Sequence, residues 1–81
     1  MAIPISKLNK ILQINADFNN ISYDGLIVLN TKGAIKSIGN IQLQDGQLVL
    51  LNDYGLKVKA IIKIYEKQIF AKPLWTTMWE E

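Results

Sequence analysis

Residues 56–65 read LKVKAIIKIY. Leu56, Val58, Ala60, Ile62 and Ile64 alternate with Lys57, Lys59, Ile61, Lys63 and Tyr65. Successive side chains on a β-strand point to opposite faces, so this period of two predicts a half-buried strand. The first set predicts the dry face and the second the wet one. A strand this long needs partners on both edges and an apolar layer over its dry face, and these needs constrain the rest of the chain.

Turn chemistry flanks it. Asn52-Asp53-Tyr54-Gly55 precedes the strand, and Glu66-Lys67-Gln68 turns the chain after it. Asp45-Gly46 lies between Ile41-Gln42-Leu43 and Leu48-Val49-Leu50, which is a short hairpin signal. Residues 21–31 are rich in β-branched and aromatic side chains, with a bulge or sharp bend at Asp24-Gly25. Asn30-Thr31-Lys32-Gly33 reads as a turn in which Gly33 is free to take positive φ. Residues 34–43 read as a weaker strand broken near Gly39-Asn40, and 69–71 as a short final strand that stops at Pro73.

The start of the chain has a different rhythm. Ile5, Leu8, Ile11 and Leu12 recur at spacings of three and four, with Ser6 available as N-cap and Pro4 just upstream. The pattern predicts a helix over about 6–15. The expected fold is therefore mainly β (α+β) in one small domain, 1–81. A short N-terminal helix precedes about five antiparallel strands over about 21–72, in a small barrel or a strongly bent meander. In the aromatic tail, 74–81, Trp75, Met78 and Trp79 fit a helical face and Trp75, Thr77 and Trp79 a strand face, and the paired threonines favour extended backbone.

Composition removes much chemistry. The chain has no cysteine and no histidine, so thiolate chemistry, disulfides and a Ser-His-Asp triad within one chain are excluded. The seven carboxylates, Asp17, Asp24, Asp45, Asp53, Glu66, Glu80 and Glu81, fall mostly at turns or at the chain end, which disfavours a convergent acid–base pair. No Walker loop, GxGxxG or EF-hand pattern is present, and the glycines read as turn residues. No cofactor and no metal site is expected. The longest apolar runs, 26–29 and 48–51, are four residues, far short of the roughly 20 a bilayer span needs. With no signal-peptide pattern, the reading is cytoplasmic. All nine basic residues are lysine, which removes the bidentate arginine contact that reads guanine and leaves phosphate contact open.

Two constellations stand out. Lys57, Lys59 and Lys63 share a face with Tyr65, which suits an oligonucleotide-binding sheet. The plainer reading is a solvated face that guards against aggregation. Ile61 in the middle of that face implies cover by the helix or a partner. Both tryptophans fall in the last seven residues, where Trp75, Met78 and Trp79 form either a fold-back core element or a partner anchor. The preferred expectation is a non-enzymatic protein-binding or accessory module with a protein partner or self-association, the simplest form being a homodimer through an edge strand. Its candidate contact residues are Trp75, Met78, Trp79, Ile61 and Tyr65. The alternative is a nonspecific single-stranded nucleic-acid binder using Lys57, Lys59, Lys63 and Tyr65.

Overall fold

The computed structural model describes residues 11–80. Its centre is β4 (Leu56–Tyr65), which alternates as its sequence requires. Val58, Ala60 and Ile62 are completely buried, Ile64 packs at the margin of the core, and Leu56 at the strand's start is exposed. β3 (Leu48–Asp53) and β5 (Gln68–Pro73) flank β4 as antiparallel neighbours, with registers Asp53↔Leu56 and Tyr65↔Gln68 at the connecting turns. Each connection is a two-residue loop. Tyr54 and Gly55 form the first and Glu66 and Lys67 the second, all at positive φ. Two central residues at positive φ match the right-handed twist of the strands they join.

Three further strands complete an open, mixed sheet: β1 (Gln13–Asn15), β2 (Ile27–Val28) and β6 (Trp79–Glu80). The order is β1-β3-β4-β5-β2, and β6 pairs with β4. β1 runs parallel to β3 with Gln13↔Leu50 and Asn15↔Asn52, whereas every other pairing is antiparallel. Among the described residues one α-helix, α1 (Lys32–Ile38), lies between β2 and β3 in sequence and packs against β1. The dry side of the sheet gathers Ile14, Ile27, Val49, Leu51, Val58, Ala60, Ile62 and Ala71, capped by Ala34, Leu29 and Leu43.

Several expectations are corrected. The helix over about 6–15 is not formed where the structure describes it, because Gln13–Asn15 is a strand; residues 6–10 lie outside the described residues. Leu12, Ile14 and Ala16 also follow a period of two, and pairing with β3 buries Ile14 completely. The helix lies instead in the stretch expected as a weak strand. Thr31 is its N-cap, its Oγ1 accepting from Ala34 N at 3.2 Å, and Gly39 ends it at φ 55°. Gly33 sits inside that helix and does not take positive φ. The sheet is neither a barrel nor a pure meander, since it stays open and carries a parallel edge pair. Asp45-Gly46 does form a turn, but residues 41–43 do not pair with β3. The turn docks on β4 instead: Gly46 N donates to Ile62 O at 2.7 Å and Asp45 Oδ1 accepts from Ile64 N at 2.9 Å.

The register of β4 and the strain in its second turn are both open to test. Ile62→Ala should cost about 2–5 kcal/mol in urea unfolding, and Lys59→Ala less than about 0.5 kcal/mol. Glu66 and Lys67 hold φ of 49° and 69°, which residues with a Cβ adopt at a cost. Replacing the pair by Asn-Gly should stabilise the protein by about 1 kcal/mol, and a loss of stability would show that the loop is not a two-residue turn of this type.

Candidate functional site

The alternation that buries one side of the sheet builds its other side. From β4 the outer face receives Lys57, Lys59, Ile61, Lys63 and Tyr65, and from β3 Leu48, Leu50 and Asn52. β5 adds Gln68, Phe70 and Lys72, opposite Tyr65, Lys63 and Ile61. Val28 of β2 pairs with Phe70, and Trp79 of β6 pairs with Lys57. None of these side chains is buried, whereas Val58, Ala60 and Ile62 on the opposite face of β4 are. Helix α1 covers the other side, through Ala34.

The strand residues of this face carry one sign of charge, while the loop carboxylates Asp24 and Glu66 border its Tyr65–Phe70 end. Lys57, Lys59, Lys63 and Lys72, four of the nine basic residues, stand on the face. Among the described residues no strand residue of the face is acidic, because Asp53 and Glu80 fall in register with Leu56, on the opposite side of the sheet. Lys57 Nζ lies 3.4 Å from Gln13 Oε1, and Asn52 Nδ2 donates to Asn15 Oδ1 at 3.2 Å, so the β1 end of the face is held by neutral polar bonds. At the other end the rings of Tyr65 and Phe70 sit 5.8 Å apart, tilted by 58°.

The structure therefore brings Lys57, Lys59, Ile61, Lys63, Tyr65 and Trp79 together on one surface, and separates Trp75 from them. Trp75 starts a 3-10 turn, Trp75–Thr77, and its ring meets Phe18 edge-on at 5.8 Å and 77°. Phe18 packs against the core, and Trp75, Met78 and Trp79 remain 44%, 46% and 42% exposed. The tail is thus laid along the sheet without being enclosed by it. It continues along the edge of β4 that β5 leaves: Leu74 N donates to Lys59 O at 2.8 Å, Thr77 Oγ1 accepts from Lys59 N at 3.0 Å, and β6 takes up the ladder at Lys57.

Sequence reasoning missed Phe70, Lys72, Leu48 and Leu50 as members of this face. A signal for the first two was present. The two-residue turn Glu66-Lys67 places Phe70 opposite Lys63, and alternation then places Lys72 opposite Ile61.

A cleft of about 950 Å³ with mixed polar and apolar lining opens at the β3–β4 turn and includes Asp17, Asp53 and Glu80. Two of these carboxylates already serve the backbone. Asp53 Oδ2 accepts from Phe18 N at 3.0 Å, and Asp17 Oδ1 accepts from Asn19 N at 2.9 Å. Among the described residues no group of three acidic side chains is placed to hold a metal ion, and no helix is long and apolar enough to cross a membrane.

No family model, curated protein or solved structure matches the chain.

Thr77 joins the tail to the sheet through one side-chain oxygen that receives Lys59 N and donates to Leu74 O at 2.7 Å. Thr77→Val keeps the shape and removes both bonds. It should cost about 1 kcal/mol in urea unfolding and raise hydrogen exchange at the Lys59 amide. Unchanged exchange would mean that the tail does not protect this edge.

Proposed function

We propose that this chain is a non-enzymatic binding module whose working surface is the outer face of the sheet, and that its ligand is an anionic macromolecule. The observation that carries the reading is that Lys59, Lys63 and Lys72 stand on a face with no acidic strand residue among the described residues. Like charges on one flat surface repel each other, and a polyanion relieves that repulsion. The apolar side chains between them, Leu50, Ile61 and Phe70, are half-buried by their neighbours. They offer contact area without forming a separate greasy patch.

Self-association through an edge strand loses its support. On the β1 edge the outward amide of Asn15 donates to Ser37 Oγ at 3.0 Å. On the β2 edge Asn20 takes both groups of Val28, its carbonyl accepting from Val28 N at 2.9 Å and its Nδ2 donating to Val28 O at 3.2 Å. A backbone group already bonded within the chain is not open to a second chain. Two copies meeting face to face would oppose lysine to lysine. A protein partner on the tail is the second reading, favoured by the exposure of Trp75 and Met78.

Heparin, a polyanion without bases, tests the first reading. The wild-type protein should be retained at low salt and elute as salt rises. The triple variant Lys59→Gln, Lys63→Gln, Lys72→Gln should pass through, while Trp75→Ala should be retained like the wild type. Flow-through of the wild type would refute the polyanion reading, and loss of retention in Trp75→Ala would favour the tail.

A further inference from the structure

We propose that the anion is single-stranded nucleic acid, with bases stacking on the Tyr65–Phe70 pair and on Trp79 and phosphates held by Lys59, Lys63 and Lys72. The inference rests on the reading of the outer face as a polyanion-binding surface and adds the class of ligand.

The placement of the rings carries it. Tyr65 is 54% exposed at one end of the face and Trp79 42% exposed at the other. Trp79 sits opposite Lys57, so eight residues of β4 separate the two aromatic positions, a span of about 26 Å at 3.3 Å per residue. Lys59, Lys63 and Lys72 lie between them, on β4 and its neighbour β5. Rings at the ends and cations in the middle of one sheet face match a strand whose bases are free to stack and whose phosphates follow one another. The span falls within site sizes of about 4–16 nucleotides for sheet-based binders.

A duplex keeps its bases stacked inside, and a face several strands wide cannot enter a groove that admits an α-helix or a two-stranded ribbon. An anionic membrane would be met best by a wide band of exposed apolar side chains, whereas Leu50, Ile61 and Phe70 are half-buried and Leu48 is 40% exposed. The chain has no arginine for bidentate base contacts, so recognition is tolerant of sequence.

The test is a fluorescence-anisotropy titration of labelled oligothymidine, about 12 nucleotides long, from about 50 to about 200 mM salt. Wild-type binding should weaken with salt. The Lys59→Gln, Lys63→Gln, Lys72→Gln variant should flatten the slope of log affinity against log salt by about 2, at about 0.7 for each phosphate that is no longer neutralised. Phe70→Leu, which keeps an apolar side chain in the sheet, should weaken binding about tenfold and leave that slope unchanged. Thermal melts establish that both variants are folded. In a Trp75→Phe background, the emission of Trp79 should be quenched by the oligonucleotide and not by heparin. Duplex DNA should bind more weakly than the single strand.

Equal affinity for oligothymidine, duplex and heparin, with no effect of Phe70→Leu, would overturn the nucleic-acid assignment and leave the polyanion reading standing. Binding to phosphatidylserine vesicles without binding to oligothymidine would overturn it in favour of a lipid surface. Failure to bind oligothymidine, heparin and vesicles alike would remove both readings.

Discussion

β4 is held on both flanks by connections only two residues long, and little in this sheet is free to shift while those turns stand. A slip of one residue at either turn would carry Val58, Ala60 and Ile62 out of the core and bring Lys57, Lys59 and Lys63 in. The core is small, with its fully buried large side chains confined to Ile14, Ile27, Val49, Leu51, Val58 and Ile62. Four of these six lie on β3 and β4, so the register of one pair of strands sets most of the dry interior. That same register lines up the lysines on the other side. Stability and the lysine-bearing outer face are thus two consequences of one alternation.

The sheet stays open, and its exposed backbone is managed locally. Ser37 of the helix closes the β1 edge, Asn20 closes the β2 edge, and Thr77 fills the gap that β5 leaves on β4. Each device uses a side-chain oxygen or amide where a barrel would use another strand. This also explains the tail: Trp75 and Trp79 are only partly covered because the tail's contribution is to the ladder and to one ring contact with Phe18, not to the interior.

The helix and β1 depend on each other. A seven-residue helix has little stability of its own, so α1 needs Thr31 at its start and Ala34 in the core. β1, at three residues, needs β3 on one side and Ser37 on the other. Neither element would be expected from an isolated peptide. Both lie where reading from the sequence erred, one taken as helix and the other as strand.

The sequence by itself determined what is local. The period of two over Leu56–Tyr65 set the two faces of β4, and the residues at 54–55 and 66–67 marked the turns around it. It could not settle 12–16, where Leu12, Ile14 and Ala16 fit a strand while Leu8, Ile11 and Leu12 fit a helix. The tertiary structure decided this through Asn15↔Asn52, a parallel pairing across 37 positions that buries Ile14. It also assembled the outer face. Phe70 and Lys72 are unremarkable in their own strand and become neighbours of Lys63 and Ile61 only when β5 is folded against β4. Alternation along one strand is written in adjacent residues; which strands meet depends on burial summed over the whole chain, and no short segment contains that sum.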